Sequence, residues 1–313
     1  MKPLLFILGT MLCLFGCQPT QETSDGENKP VLTDLFGKQH FVPNLTEKQR
    51  AKLDSNLQVA ENSFEKDSSE ENFIWLGRRQ AYRYKIEQAI ETFTKGIRQY
   101  PNSYRLYRHR GHRYITVRAF DNAIADFEKA AALMAGKPSE IEPDGQPNAQ
   151  NIPLSTTQFN VFYHLGLAHY LKGDFAKAET AYRACMAVSD NDDLKVATTD
   201  WLYMTFAREG KKKSADSLLA LLPGQLSIIE NDSYLNRLNM YRGITTPDQV
   251  LSPDPRSEDY DLSLATQGYG VGNWYLYAGD TIRAKDIFKK VLGGKHFTSF
   301  GFIAAEAEMH RLE

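Results

Sequence analysis

Three cysteines in 313 residues, Cys13, Cys17 and Cys185, form no zinc-binding cluster. There is no nucleophile elbow and no HExxH pair, so motif alone names no catalytic group. No stretch alternates apolar and polar residues as a half-buried strand does, so strands do not compete with helices. A formal net charge of -2 excludes a chain that is basic throughout, as a general nucleic-acid binder would be, and equally an acidic tail. The apolar run Leu4 to Phe15, broken only by Gly9 and Thr10, is about a dozen residues long, too short to span a bilayer as a mature helix.

Hydrophobic residues make up 42% of the chain, enough for one large core or a linear series of smaller ones. At the N-terminus Lys2 precedes the apolar run, which ends Leu14-Phe15-Gly16-Cys17. This resembles the lipobox of bacterial lipoproteins: Leu at -3, a small residue at -1, then the Cys that takes the lipid. Phe15 at -2 is bulkier than the usual residue. The resemblance implies a signal peptide over 1–16, lipidation of Cys17 and a place in the bacterial cell envelope. Gln18 stands where the inner-membrane retention residue Asp would, so the outer membrane is expected. Cys13 then leaves with the signal and Cys17 carries the lipid. Cys185 remains without a disulfide partner and is expected as a buried, inert thiol. From Gln18 to about Pro43 the chain is rich in Pro, Thr, Ser, Gly, Asn and Asp, the composition of a flexible tether. With Cys17 the tether occupies 17–45, and the body 46–313.

Order is predicted to begin at Thr46-Glu47-Lys48-Gln49, a capping box, followed by Leu53, Leu57, Ala60 and Phe64 on one helical face. Internal repetition comes next. Gly77 and Gly111, Ala89 and Ala123, and Phe93 and Phe127 are each 34 residues apart. A third copy runs from Phe159 to about Asp192, with Gly166, Gly173, Ala178 and Tyr182. Period and landmarks resemble the tetratricopeptide repeat (TPR), a 34-residue helix–turn–helix unit. The resemblance implies an all-α fold, a right-handed α-solenoid of TPR-like helix pairs with N-terminal and C-terminal flanking helices. The units fall at about 70–103, 104–137, 159–192, 196–229, a degenerate 230–264, and 265–298, closed by a cap helix over 297–313. The degenerate unit takes its first helix from Tyr234 to Tyr241, and its second is cut short by Pro253 and Pro255. Two Pro-bearing insertions, Ala135 to Thr157 and Gly243 to Asp261, interrupt the array. Gly77, Gly111 and Gly166 are expected at close helix contacts, and Arg118 as a tolerant comparison if it is solvated.

His109 and His112 lie three apart, and His164 and His169 five apart, where metal pairs on a helix favour i, i+4. Arg108, Arg110 and Arg113 surround the first pair, so no metal is expected. Gly268-Tyr-Gly-Val-Gly272 has no strand before it and is expected to serve close helix packing rather than phosphate. No cofactor is expected. Between Phe73 and Arg118 eleven Lys and Arg stand against Glu87 and Glu91 only, a local net charge of +9. In the TPR family the first helix of each unit lines a concave groove. By position this implies Trp75 and Arg78 from the first unit, and Arg105, Arg108, His109 and His112 from the second. The third would supply Asn160, Tyr163, His164, Leu167 and Tyr170. Such a groove would grip carboxylates through Arg and add contact area through aromatics. The competing reading is a solvated charged face balanced by acids such as Glu61, Glu65, Asp67, Glu70 and Glu71.

The function implied is an interaction scaffold for an envelope protein or acidic peptide, held to the membrane through Cys17. A glycan-binding accessory lipoprotein is the alternative, and an enzyme a third. Trp75, Tyr82, Tyr163 and Tyr170 in a flat patch would favour sugar, and Arg-dominated pockets would favour acidic groups. Export argues against nucleic acid.

Overall fold

In a computed structural model, residues 29–143, 148, 150–252 and 260–313 are described. The signal segment 1–16, Cys17, the tether as far as 28, and Pro253 and Pro255 lie outside them.

The described residues form fourteen helices and one two-stranded hairpin. A lone helix α1 (Glu47–Lys66) opens the array. Its N-terminus is the expected capping box, with Thr46 N–H donating to Gln49 Oε1 at 2.9 Å and Gln49 N–H to Thr46 Oγ1 at 3.2 Å. Helix pairs follow: α2 (Glu70–Tyr82) with α3 (Ile86–Gln99), α4 (Tyr104–Thr116) with α5 (Phe120–Met134), and α6 (Thr157–Lys172) with α7 (Phe175–Ala187). Next come α8 (Asp192–Arg208) with α9 (Lys212–Ala220), and α10 (Asp232–Tyr241) with the four-residue α11 (Pro247–Val250). The last pair is α12 (Tyr260–Tyr277) with α13 (Thr281–Leu292), before the terminal α14 (Phe300–Arg311). Each helix up to α9 packs on its predecessor, so the architecture is an all-helical α-solenoid of helix pairs.

The packing follows from one size rule. A Cβ on Gly77 would lie 2.4 Å from the Phe93 ring, on Gly111 2.9 Å from Phe127, on Gly166 2.7 Å from Tyr182 and on Gly272 2.5 Å from Phe288. In each pair the aromatic stands sixteen residues after the glycine and plugs the dent left on the first helix. The fourth unit reverses the sizes: Tyr203 stands at the glycine position and Leu219 at the aromatic one. Gly268 and Gly270 follow the same logic, the first against Val291 and the second against the Arg237 side chain, so the glycine run of α12 serves helix packing. Cys185 is buried beside Thr198, and burial pushes its thiol up to about 12.

Seven residues after each glycine position the chain turns with positive φ. Gly173, Gly210 and Gly279 occupy that place in three units, but Tyr84 (φ 62°) and Arg118 (φ 63°) occupy it in the first two. Both non-glycines reach the C-terminal segment. Tyr84 lies 5.9 Å from the Phe297 ring. Arg118 is buried, donating from Nε and Nη2 to the Glu306 carboxylate (2.6 Å at the shortest) and from Nη2 to the Phe297 carbonyl at 2.9 Å. Arg118 is therefore not the solvated position considered from sequence.

Helix α14 does more than cover the last pair: it packs on α12 and α13 and also returns to α6. The segment assigned to a tether is in part structured. Strands β1 (Leu32–Thr33) and β2 (Gln39–His40) pair antiparallel, and the hairpin docks on α14. Leu35 N–H donates to Glu306 Oε1 at 2.9 Å, and the His40 ring lies tilted 4.8 Å from that of Phe297. Contacts from the far end of the chain give this polar stretch the anchorage its composition lacks.

Candidate functional site

The candidate site is the face shared by α2 and α4, the second of which carries four Arg and no acid. Much of that charge is neutralised within the chain. Arg105 pairs with Glu71 at 2.7 Å and lies 4.0 Å from Glu70. Arg110 is bidentate on Asp126, at 2.8 and 2.7 Å. These pairs realise the balancing-acid reading for part of the helix. Arg78 and Arg113 make no ion pair with any described residue. Arg78 lies over the Trp75 ring, 4.6 Å from its centre, and Arg79 also approaches that ring, at 4.9 Å.

Arg108 sits at the centre, 7% exposed. Its Nη1 donates to Nδ1 of His109 at 3.2 Å and lies 3.4 Å from Nδ1 of His112, while Nη2 meets Glu142 Oε1 at 2.9 Å. A guanidinium can only donate, so both imidazoles present a lone pair and are neutral. Burial first, and the neighbouring guanidinium charges second, hold both well below the usual histidine range. Burial also brings Arg113 down to about 10. The lone pairs that a metal would need thus face a cation, and no group of metal-ligating residues gathers elsewhere among the described residues.

Arg78, Tyr82, Phe93, Arg108, His109, His112, Arg113 and Glu142 enclose a cavity of about 90 Å³. With both histidines neutral, three guanidiniums face one carboxylate there. The wall carries an excess positive charge in surroundings of low polarity, and an anion relieves it.

Tyr163 and Tyr170 do not join this face. Tyr163 is buried and donates to Tyr234 Oη at 3.1 Å. Tyr170 is wholly buried, accepting from Tyr269 Oη and Asn273 Nδ2, each at 2.9 Å. Their predicted place assumed an open concave side, but α14 lies against α6 and α8 and α12 complete the enclosure. Phe300 of α14 sits 5.3 Å from both His112 and His164. The structure brings together Trp75, Arg78, Arg108, His109 and His112, leaves Arg105 at the edge with its acids, and removes the two tyrosines. Positional carry-over missed Arg113, although it follows His109 by four residues on the same helical face. It also missed Glu142, for which no local signal exists, since it arrives from the 135–157 insertion.

The stretch 159–192, the third unit, matches the family model described as tetratricopeptide repeat. None of the curated proteins matches the chain. Among solved structures, a tetratricopeptide repeat protein from Parabacteroides merdae is similar over 82% of this chain and 94% of its own, with 14% identity and a TM-score of 0.50. YrrB, described as a TPR protein with an unusual peptide-binding site, is similar over 81% of this chain and 99% of its own, with 15% identity and a TM-score of 0.42. At such identities the likeness concerns the fold.

Proposed function

We propose that the protein is a lipid-anchored interaction scaffold of the bacterial envelope, held at Cys17, most simply in the outer membrane, and that it takes an acidic segment of a partner protein on the α2–α4 face. The observation that carries this reading is the cavity in which Arg78, Arg108 and Arg113 outnumber Glu142. Like charges crowded this way are a cost in the free protein that an anionic partner removes. Trp75, which carries two guanidiniums within 5 Å of its ring centre, adds a broad contact at the rim. A glycan reading needs stacking faces from Tyr163 and Tyr170, and both rings are spent in the core.

Crosslinking in native membranes, followed by mass spectrometry, identifies the partner. Arg78→Glu should then abolish its capture. Arg98→Glu, the same charge change at an exposed site on α3, should not. Wild-type capture should weaken with added salt, since exposed charges are screened over roughly 8–10 Å. Equal capture by the two variants would refute the assignment of the face. Anchoring is tested separately: Cys17→Ser should free the protein from membranes or leave an unprocessed precursor, and a processed variant that still sediments with membranes would refute it.

A further inference from the structure

Apart from the rim pair of Arg105 with Glu71, three ion pairs draw on the arginine-rich segment 104–118, and one of them differs from the other two. Arg110 uses both oxygens of Asp126, and Arg118 uses both oxygens of Glu306. In each, the acid stands on a helix of the array and no carboxylate oxygen is left over. The pair of Arg108 and Glu142 differs on every count. Its acid comes from the insertion, a single oxygen makes the contact, and both Glu142 Oε2 and Arg108 Nε are buried without a partner. The cavity with Arg78 and Arg113 adjoins this incomplete pair.

Glu142 is held there by a short backbone ladder. Its N–H donates to the Ser155 carbonyl at 2.9 Å, and Thr157 N–H donates to the Glu140 carbonyl at 2.8 Å, so that Ile141 faces Thr156. Ile141 itself is 64% exposed, so the arm contributes little apolar burial at that point. A buried pair with unsatisfied atoms returns little of its desolvation cost. A carboxylate that also engaged Arg78 or Arg113 would do better on the same guanidinium.

Resting on the reading above, we propose that Glu142 is an intramolecular stand-in for the partner's carboxylate, and that an acidic segment binds by exchange with it on Arg108. The insertion is then a built-in competitor. It lowers apparent affinity by the fraction of molecules in which Glu142 is seated, and keeps the basic face from holding anionic groups indiscriminately.

The test uses the full chain and a fluorescein-labelled hexaglutamate peptide, with binding read by anisotropy at low salt. Glu142→Gln keeps the shape and removes the charge, and should bind about tenfold more tightly than wild type. A second variant, Ile141→Cys with Thr156→Cys, locks the arm. Such a non-hydrogen-bonded pair places Cα atoms about 4.5 Å apart, within disulfide reach. Oxidised, it should bind about tenfold more weakly than wild type, and a reductant should restore it. Wild-type binding with no gain in Glu142→Gln would overturn the exchange while leaving the acidic-ligand reading intact. A locked arm that binds like the reduced form would do the same. Absence of binding by every form, with helical content intact, would overturn the acidic-ligand reading and the exchange together.

Discussion

Arg118 offers a sharp test of the energetics. Replacing it with Ala removes three kinds of contact at once: the bidentate pair with Glu306, the bond to the Phe297 carbonyl and that to the Thr116 carbonyl. Glu306 is wholly buried, so its carboxylate is left with the Leu35 amide as a named donor. Breaking a buried pair from one side costs about 3–5 kcal/mol, because the orphaned charge stays in a medium that solvates it poorly. A further term belongs to the backbone. At φ 63° any residue but glycine carries roughly 1–2 kcal/mol of strain, which Ala retains and Gly relieves. Arg118→Ala should thus lose about 3–5 kcal/mol, and Arg118→Gly about 1–2 kcal/mol less than that. Adding Glu306→Met to Arg118→Gly removes the orphaned charge and should recover part of the loss, since no buried carboxylate is then left without its cation. Urea denaturation followed by circular dichroism gives all four stabilities. A loss under 1 kcal/mol for Arg118→Ala, or an Ala variant more stable than the Gly variant, would refute the reasoning.

Gly301→Ala would bring a Cβ to 2.2 Å from the Ala265 carbonyl oxygen, a backbone atom that cannot turn aside, whereas Gly111→Ala meets only the Phe127 ring at 2.9 Å. The first should therefore cost at least about 2 kcal/mol and clearly more than the second in thermal melts; equal melting points would count against the close α12–α14 contact. His109, His112 and His164 are held well below the usual histidine range, chiefly by burial, so the unfolded chain takes up their protons first as pH falls. Stability should be level above about pH 7 and drop below about 6.5 by up to roughly 1.4 kcal/mol per pH unit for each ring, visible in urea midpoints at pH 7.5 and 5.5. A midpoint that rises on acidification would refute it.

The helix pairs were legible because their packing is local in sequence. A glycine, an alanine and an aromatic at fixed offsets leave a trace that survives divergence, as Gly77, Ala89 and Phe93 do. The capping box at Thr46 is local for the same reason. Part of the site was legible too: Arg108, His109 and His112 share a face of α4 by helical spacing, and Arg78 stands on α2 one 34-residue period before His112. What escaped depends on distant partners. Arg118 reads as one more surface arginine until Glu306, 188 residues on, is brought beside it. The hairpin over 32–40 has strands of two residues, too short for any alternation to register. Tyr163 and Tyr170 were misplaced because position within a repeat says which side a residue faces, and not what else comes to lie on that side.

A repeat array with free ends behaves as a row of dominoes: each unit answers to its neighbours alone, and melting frays inward from whichever terminus is weaker. Here the last helix is fastened to the second unit and to the third, and the first ordered strands are fastened to the last helix. The row is closed from the second unit to the last helix, so α14 cannot peel away without breaking contacts made far back in the chain, while α1, which packs on α2, stays free to fray. Loss of the final dozen residues should then loosen helices two hundred positions earlier, and amide exchange across α4, α6 and α14 should open as one cooperative block.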